Sequence, residues 1–560
     1  MDFIQIYAQE LTTNLDGQLS MEKVLDLIEK PKHAEQGDLA FPCFTLAKMM
    51  RKAPHQIAGE LAGNIQHPLF EKVISEGPYV NCFLNKKAAS KDVLQTVLKE
   101  GNQFGSSNMG TGKNIVIDFS SPNIAKPFSM GHLRSTVIGN SLAHIAEKCG
   151  YQAVRVNHLG DWGTQFGKLI VAYKLWGNEE KVKANPIKEL LDLYVKFHQE
   201  AQNNHQLEDE ARLWFKKLED GDQEALSLWK WFRDESLQEF SKIYELLGVH
   251  FDSYHGEAFY NDKMDATIQL LEKEGLLKQS EGAQVVELTD YDLPPCLIKK
   301  SDGATLYATR DLTAALYRQD QYEFEKALYV VGQEQSLHFK QVFLVLKEMG
   351  FEWADQLEHI PFGFILKDGK KMSTRKGKVV LLETVIHEAI ELAKQNIEAK
   401  NPNLQQKDEV AKMVGVGSII FHDLKNERQN NVEFSLEEML KVEGTTGPYV
   451  QYTHARASSI LRKTEVAENI DGLDDEYSWA IIKSLMEFPE VIQKSFKQYE
   501  PSHISKYLLA LAQDFNKYYG HVKILREDEL QDSRIALVQA VNTVLAEGLR
   551  LLGIQAPEEM

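Results

Sequence analysis

The sequence predicts an α/β protein in which a central parallel-sheet domain lies between an N-terminal α+β unit and a C-terminal all-helical module. Strand-like and helical patterns alternate after Lys113, which is typical of parallel sheets with crossover helices. Prolines such as Pro42 and Pro54 divide the first ~110 residues into short elements. From about residue 380 to the end, helical periodicity is almost the only pattern.

The N-terminal unit opens with two helical patterns. The segment PYVNCFLN then alternates like a strand, and a helical pattern runs on to Lys99. The stretch Gly101–Gly112 is rich in Gly, Ser and Asn, which indicates a linker or an entry loop.

The central part begins with the β-branched run NIVIDFS, a predicted buried strand. A helix is predicted from Gly131 to Cys149, followed by Gly150 as its cap. A second strand (YQAVRVNHLGD) and a second helix (GTQFGKLIVAYKLWG) follow. The runs AQVVEL, ALYVVG and HIPFGFIL predict further strands, so the charged stretch at about 177–280 is interpreted as an insertion between two halves of one nucleotide-binding sheet. We therefore predict domains at about residues 1–110, 111–380, 381–440 and 441–560, the third being a helical connecting region.

Composition and charge exclude several classes of protein. The 560 residues carry a net charge of −19, so the chain is not a general nucleic-acid coat and any RNA contact needs local basic patches. The four cysteines form no CxxC pair, which speaks against a zinc knuckle or a disulfide framework. The start MDFIQIYAQE lacks the pattern of a signal peptide, and apolar runs are too short to span a membrane, so we expect a soluble cytoplasmic protein.

The first chemistry-bearing motif is SSPNIAKPFSMGHLRS, Ser120–Ser135, which follows a strand and opens a helix. Gly131 permits close backbone approach, and His132 is predicted at a helix N-terminus, where free N–H groups and the helix dipole favour phosphate. An imidazole there can donate a hydrogen bond as charge develops on a phosphoryl oxygen. The alternative is an ordinary strand–helix loop with a capping histidine.

The second motif is KDGKKMSTRKG, Lys367–Gly377, a loop with five cationic side chains and two small hydroxyls. Cations on such a loop can close over a polyphosphate and stabilise a charged transition state. Taken by itself, a basic loop is usually only solvated.

Together the two motifs resemble the HIGH and KMSK signatures of class I aminoacyl-tRNA synthetases. The segments NHLGDWGTQFG, LYATRDLTAA and TGPYVQYTHAR narrow this resemblance to the arginyl-tRNA synthetases. The resemblance implies a Rossmann-type catalytic domain, an additional N-terminal tRNA-binding domain and a helical anticodon-binding domain. It also implies a ligase that forms arginyl-adenylate and pyrophosphate from arginine and ATP, then esterifies the terminal adenosine of tRNA, with tRNA needed for the first step. Two alternatives stay open: another class I ligase, for glutamate or cysteine, and a non-catalytic tRNA-binding paralogue.

The resemblance also implies partners and a state of assembly. ATP with magnesium is the expected co-substrate, no tightly bound cofactor is expected, and the chain is expected to be a monomer without membrane contact. Two departures from the signatures stand out, because Ser129 replaces the first histidine and Thr374 replaces the second lysine. The family suggests that Lys126 supplies the missing positive charge.

An arginine pocket needs carboxylates, because the guanidinium is a planar cation with donors only. Asp118 ends the first strand of the central domain, and Asp311 lies one helical turn after Tyr307. The resemblance assigns site residues as follows. The catalytic residues are His132, Lys126, Lys371 and Ser373. The ATP contacts are Ser129, Gly131, His132, Gly332, Glu334 and Met372. The arginine contacts are Asp118, Ser120, Asn123, His132, Tyr307, Asp311 and Gln335.

Two stretches of the C-terminal module, residues 441–464 and 505–526, are locally cationic and contain interleaved aromatics. Exposed aromatics beside cations suit a single-stranded RNA loop, and Tyr507, Phe515, Tyr518 and Tyr519 are expected to be exposed in this way. The alternative is a helical bundle with buried tyrosines. The resemblance assigns tRNA contacts to Asn81, Phe83, Asn85, Tyr449, Tyr452, Arg456 and Met560.

Overall fold

A computed structural model describes residues 3–300, 307–372, 374–375, 378–465 and 467–560. The helices are α1 (Phe3–Asn14), α2 (Met21–Leu27), α3 (Leu46–Met50), α4 (Pro54–Asn64), α5 (Lys86–Glu100), α6 (Leu133–Lys148), α7 (Thr164–Trp176), α8 (Glu179–Ala184), α9 (Pro186–Ala201), α10 (Gln206–Glu219), α11 (Gln223–Leu247), α12 (Met264–Lys273), α13 (Tyr307–Tyr322), α14 (Ser336–Glu348), α15 (Leu382–Lys400), α16 (Lys407–Leu424), α17 (Leu436–Met439), α18 (Gly447–Leu461), α19 (Glu476–Gln498), α20 (Ser502–His521) and α21 (Gln531–Leu551).

The strands are β1 (Leu39–Pro42), β2 (Phe70–Glu76), β3 (Tyr79–Leu84), β4 (Asn114–Asp118), β5 (Gln152–Val156), β6 (Leu277–Ser280), β7 (Ala283–Val286), β8 (Cys296–Lys299), β9 (Phe324–Tyr329), β10 (Leu357–His359), β11 (Ile365–Lys367), β12 (Lys370–Lys371), β13 (Thr374–Arg375), β14 (Lys378–Val379) and β15 (Val432–Glu433).

The central sheet is parallel, in the order β10-β9-β4-β5. The predicted parallel sheet and the α/β class are therefore confirmed. The middle strand β4 is buried along almost its whole length, as expected of an apolar run covered on both faces. Because all four strands run the same way, their carboxyl ends meet at one edge of the sheet.

The run HIPFGFIL contributes only His359 of β10 to this sheet, and its last two residues belong to β11 of another sheet, so that part of the prediction was wrong. The run AQVVEL was also placed wrongly, because it does not join this sheet. It forms β7, the middle strand of a separate antiparallel sheet in the order β6-β7-β8. The burial of β8 alternates along the strand, and β6 is largely exposed, as in a sheet covered on one face only. A short apolar run indicates a strand but does not say which sheet it enters.

Helix α6 begins directly after Gly131 and His132 of the first motif. Gly139, in its middle, packs so closely on Phe119 that a Cβ there would lie 2.2 Å from the ring. Gly150 follows the helix with φ +90°, a conformation that favours glycine, and confirms the expected cap.

The N-terminal unit is α+β, as predicted. Its antiparallel sheet has the order β1-β3-β2. Tyr7 on α1 is fully buried and donates a hydrogen bond to the carbonyl of Val80 on β3 at 2.8 Å.

The C-terminal part is helical from α15 onward, apart from β15. Three aromatics predicted to be exposed are core residues instead: Tyr507, Phe515 and Tyr518 are 7%, 0% and 0% exposed. Their spacing fits the apolar face of a packed helix, and burial removes them from contact with RNA. Tyr519 is 46% exposed, as expected.

The chain divides into two compact units. The first comprises Met1–Phe104, Thr453–Phe488 and Ala510–Leu545, and the second comprises Gly105–Tyr452, Pro489–Leu509 and Ala546–Met560. Inside the first unit, the hydroxyl of Ser90 on α5 donates to the carbonyl of Leu473 at 2.8 Å and accepts from its N–H at 2.6 Å. The N-terminal residues and part of the helical module therefore share one unit. The predicted domain bounds stay a prediction.

The four cysteines are buried and unbridged. Burial raises the pKa of Cys43 and Cys296 to about 12 and that of Cys149 to about 11. None of the helices in the described ranges is long and apolar enough to cross a membrane.

Candidate functional site

A cavity of about 300 Å³ lies at the carboxyl edge of the central sheet. Its walls come from the loops after β4 and β9, the first turn of α6 and the β11–β12 hairpin. Six of the residues predicted for catalysis or substrate contact line it, namely Ser120, Gly131, His132, Gly332, Glu334 and Lys371. We refer to it as the phosphate cavity, after the role predicted for its residues.

His132 is held in a single orientation by Ser129. The Ser129 N–H donates to Nδ1 of His132 at 3.1 Å, while the Ser129 side chain accepts from the His132 backbone, which is a reciprocal cap of the turn before α6. Because Nδ1 accepts, the proton of the neutral ring is on Nε2. Burial lowers the pKa of His132, so the ring is neutral at pH 7 and Nε2–H is available as a donor.

Backbone hydrogen bonds join the first motif to the segment that follows the second motif. Met130 N–H donates to the carbonyl of Val380 at 3.1 Å, and Leu382 N–H donates to the carbonyl of Phe128 at 3.0 Å. The segment after the basic hairpin therefore pairs with the loop before α6.

The hairpin of β11 and β12 carries the first part of the second motif, from Lys367 to Lys371. Lys371 is exposed, and its Nζ lies 3.4 Å from the ring centroid of Phe364. Met372 is buried and is bonded through its backbone N–H to the carbonyl of Ile365, so its side chain is core. Ser373 lies outside the described residues. Lys126 is exposed and does not line the phosphate cavity.

The loop after β9 supplies the opposite wall. A Cβ on Gly332 would lie 2.6 Å from Oε2 of Glu334, so a side chain at this position would displace the Glu334 carboxylate. Gln335, the next predicted residue, is exposed and is not part of the wall.

Asp118 is paired within the chain. Its Oδ2 accepts from Nη1 of Arg318 at 2.8 Å and its Oδ1 accepts from the Ser121 hydroxyl at 3.0 Å. Burial opposes the charge of Arg318, but Asp118 holds the pKa of this guanidinium above its usual value. Both oxygens of Asp118 are therefore engaged. Arg318 was not identified from the sequence, although it lies seven residues after Asp311 on the same face of α13.

Ser120 and Asn123 differ in exposure. Ser120 is buried with φ +73°; its Oγ lies 2.8 Å from the Tyr244 hydroxyl and accepts from Thr136 at 2.9 Å. Asn123 is exposed and lies against Gly160, where a Cβ would approach its Oδ1 to 2.2 Å.

Two histidines lie beside the carboxylate of Asp311. His338 Nε2 lies 2.5 Å from Oδ2, and His158 Nε2 lies 3.9 Å from Oδ1. Burial favours the neutral acid, but the hydrogen bond from His338 holds the pKa of Asp311 below its usual value. Tyr307, one turn earlier, is 68% exposed. It lines a second cavity of about 450 Å³ together with Trp162, Gln165 and Arg310.

Glu257 is a further candidate that the sequence reasoning missed. Burial, with the negative charges of Asp311 and Asp161, raises its pKa to about 7 against the opposing charge of Arg310. The negative charges of Asp311 and Asp161 thus act on Glu257, although Arg233 already pairs with Asp161 at 3.0 Å and His338 with Asp311 at 2.5 Å. Glu257 lies in the inserted stretch, HGEAFYN, where neither spacing nor periodicity distinguishes a ligand from a surface carboxylate.

Within the described ranges, no group of three or more His, Cys, Asp or Glu side chains is placed so that it could hold a metal ion.

The residues predicted for tRNA contact are dispersed. In the first unit, Asn81 is buried and donates to Oε2 of Glu76 at 3.1 Å, while Lys72 Nζ lies 4.3 Å from the Phe83 ring. Asn85 caps α5 by accepting from Ala88 N–H at 3.1 Å.

The remaining predicted tRNA residues lie on or after α18. In the first unit, the Arg456 guanidinium lies 4.8 Å from the Tyr519 ring. In the second unit, Tyr449 is half-buried and Tyr452 is 39% exposed. Met560 packs on the cluster of α15 and α16, and its carbonyl accepts from Asn401 at 3.3 Å.

Three family models match the chain. The N-terminal match, "Arginyl tRNA synthetase N terminal domain", covers residues 5–84. The central match, "tRNA synthetases class I (R), catalytic domain", covers residues 93–436. The C-terminal match, "DALR anticodon binding domain", covers residues 450–560.

Curated relatives match over their full length. The chain is 63% identical to "Arginine--tRNA ligase 2" of Bacillus anthracis, with 100% of both chains covered. It is 61% identical to "Arginine--tRNA ligase" of Enterococcus faecalis, with 99% of both covered.

Solved structures agree at the level of the whole chain. The arginyl-tRNA synthetase of Thermus thermophilus superposes with a TM-score of 0.82 at 25% identity, covering 99% of each chain. That of Plasmodium falciparum gives 0.80 at 25% identity, covering 100% of this chain and 99% of the other.

Proposed function

This chain belongs to the arginyl-tRNA synthetase family of class I ligases, and we propose on that premise that it attaches L-arginine to tRNA using ATP. The observation that carries the proposal is the 63% identity to an arginine–tRNA ligase over the whole chain. The placement of His132 and Lys371 around one cavity supports it. A ligase for another amino acid and a non-catalytic paralogue are not favoured.

We propose a reaction in two steps. A carboxylate oxygen of arginine attacks the α-phosphorus of ATP, the bond from that phosphorus to the bridging oxygen breaks, and pyrophosphate leaves. A hydroxyl of the terminal adenosine of tRNA then attacks the carbonyl of the adenylate, and AMP leaves. No bond to the enzyme forms, so catalysis consists of positioning and charge stabilisation.

The phosphate cavity is the proposed place of the first step. The neutral His132 donates Nε2–H to an α-phosphoryl oxygen as negative charge develops there. Lys371, on its hairpin, neutralises the departing pyrophosphate. Gly332 lets the ribose approach the backbone, and Glu334 accepts from its hydroxyls. The roles proposed for Ser373, and for Lys126 as a substitute for the missing cation at Thr374, rest on the family resemblance.

For the arginine side chain we propose Glu257 and Asp311 as the guanidinium partners. Asp311 is ionised, and Glu257 is poised to lose its proton when a cation arrives. Asp118 also remains a proposed arginine contact, and Arg318 and Ser121 donate to its two oxygens. Ser120, Asn123, Tyr307 and Gln335 remain proposed arginine contacts on the strength of the resemblance.

Magnesium would enter on the phosphates of ATP. A single copy contains all three family domains, so we propose a monomer. Since its substrates are those of translation, we propose a cytoplasmic location.

The test is pyrophosphate exchange and aminoacylation with arginine, glutamate and cysteine, each with and without tRNA. We expect exchange and charging with arginine alone. Exchange with glutamate or cysteine would contradict the proposed substrate, and absence of exchange with any amino acid would contradict the proposed activity.

A further inference from the structure

Arg134 carries a buried charge in the wall of the phosphate cavity that the proposed chemistry does not use. It is the second residue of α6, two positions after His132, and its exposed fraction is 1%. It lines the same cavity as His132 and Lys371. Arginine is almost never fully buried unless it is paired, so its partners indicate what it does.

The guanidinium joins two different segments. Its Nε donates to Oδ2 of Asp423, near the end of α16, at 2.9 Å. Its Nη1 donates to the carbonyl of Asn430, in the loop before β15, at 2.7 Å. A planar guanidinium fixes the angle between two such acceptors, which a lysine cannot do.

The pairing with Asp423 is one-sided. Nη2 of Arg134 and Oδ1 of Asp423 are both buried and have no hydrogen-bond partner in the described part of the chain. Two groups that served only to neutralise each other would pair through two parallel hydrogen bonds. Here the guanidinium is turned so that Nη1 reaches Asn430 instead.

The Asn430 loop supports the strand that carries Lys371. Asn431 Oδ1 accepts from Phe364 N–H at 2.8 Å, and Val432 N–H donates to the carbonyl of Phe364 at 2.9 Å. A Cβ on Gly363 would lie 2.6 Å from the Asn430 carbonyl oxygen, so the two backbones are in close contact. The β11 strand then pairs with β12, where Lys371 lies opposite Leu366.

We propose that Arg134 is a positioning residue that sets the spacing between His132 and Lys371. One side chain ties the first turn of α6 to the loop behind β11, and so ties the two phosphate-facing groups to each other. The inference rests on the proposed function. Both groups act together only in the transition state, so a change of spacing lowers kcat more than it weakens ground-state binding.

The test is Arg134→Lys in arginine-dependent pyrophosphate exchange with tRNA present. Lysine keeps the charge and can satisfy Asp423, but it does not hold both acceptors at a fixed angle. We expect kcat to fall about 10- to 100-fold, with KM for ATP and arginine unchanged within about twofold. An unchanged kcat, or a raised KM with full kcat, would overturn the proposal.

The matched control is Lys148→Met, at the other end of the same helix. Lys148 makes a buried ion pair with Glu547 at 2.9 Å, and Arg550 also holds Glu547. This variant should lower the unfolding temperature but keep kcat when assayed well below that temperature. If it loses kcat as Arg134→Lys does, the effect is general loss of stability and the proposal fails.

A double variant tests whether Arg134 acts through Lys371. Combined with Lys371→Met, Arg134→Lys should cost no more than about a further twofold, because the spacing no longer matters. Losses that multiply would overturn the proposal. If Arg134→Lys does not fold, Gly363→Ala displaces the Asn430 carbonyl from the other side and should give the same loss of kcat; full activity of that variant would overturn the proposal.

Failure of the proposed function would look different. If the unmodified chain shows no arginine-dependent exchange, the proposed function falls and this inference falls with it. If the unmodified chain is active and Arg134→Lys matches it, only the inference falls.

Discussion

At the scale of single residues, the strongest constraint on the chemistry is the protonation state of His132. A charged imidazole would attract ATP and the transition state alike, whereas a neutral donor gains most when charge develops on the phosphoryl oxygen. The Ser129 N–H fixes which nitrogen donates. This donor is a backbone group, so the hydrogen bond does not depend on the serine side chain, which separately accepts from the His132 backbone.

The first prediction is that His132→Ala lowers the rate of arginine-dependent pyrophosphate exchange about 10²–10³-fold, with the KM for arginine nearly unchanged, because the lost hydrogen bond strengthens only in the transition state. Steady-state kinetics measure both constants. His387→Ala is the control, since this histidine side chain is 60% exposed. Equal rates for His132→Ala and the unmodified chain would show that His132 only caps the helix.

The second prediction concerns pH. The pKa of Glu257 is raised to about 7, whereas a bound guanidinium favours the ionised carboxylate, so binding should release its proton. Arginine affinity should rise with pH through 7 and be about tenfold weaker at pH 6 than at pH 8. Calorimetry in two buffers of different ionisation enthalpy measures the proton released.

Two controls belong to this prediction. Glu257→Gln should bind arginine tens- to thousands-fold more weakly and lose the pH dependence. Citrulline, which has the shape of arginine without its charge, should bind without proton release. Equal arginine affinity at pH 6 and pH 8 would contradict the role of Glu257.

Motif spacing predicted which residues of the phosphate cavity lie together, but it did not predict the partner of Asp118. His132, Lys371, Gly332 and Glu334 come together because their motifs follow strands or lie on one hairpin, which spacing reveals. The engagement of Asp118 by Arg318 joins residues 200 positions apart and could not be derived from either motif.

At the scale of elements, the sequence patterns predicted whether a segment is a strand or a helix. They were less successful in predicting which other segments it pairs with or packs against. The alternating and apolar runs identified β3, β4, β5 and β9. The same kind of run placed β7 in the wrong sheet, because strand pairing depends on long-range contacts that a local pattern does not contain. The aromatics Tyr507, Phe515 and Tyr518 of α20 were predicted to face RNA but are buried, because the sequence of one helix does not show which elements pack against it.

The third prediction contrasts one substitution in two helices. Gly139→Ala should destabilise the chain by about 1–3 kcal/mol, because the new Cβ meets the Phe119 ring. Gly59→Ala, in the exposed middle of α4 with nothing nearer than 4.0 Å, should stabilise it by about 0.5–1 kcal/mol. Thermal unfolding monitored by circular dichroism gives the sign of each shift. Shifts of the same sign would contradict this account of α6 packing.

At the scale of the whole molecule, the order and class of the parts were predictable, and the fold class is confirmed. The sequence did not show which segments make up each of the two compact units, since contacts such as that of Ser90 with Leu473 join residues 383 positions apart. Both units contain residues proposed to contact tRNA, whereas the phosphate cavity belongs to the second unit alone.

The fourth prediction is that adenylate formation needs tRNA. A partner that binds one arrangement of the chain more tightly shifts the population toward it. Pyrophosphate exchange should be weak without tRNA, strong with intact tRNA and weak with a tRNA that lacks its anticodon loop. Full exchange without tRNA would contradict the coupling, although the ligase activity would stand.

Because its four cysteines are buried, the folded chain should react very slowly with thiol-directed dyes. Alkylation requires the thiolate, and burial keeps these thiols protonated and out of reach at neutral pH. A cysteine introduced in place of the exposed Lys370 would therefore take a maleimide fluorophore selectively, without removal of the natural ones. The label would lie beside Lys371, where its emission could follow the hairpin in real time as nucleotide enters.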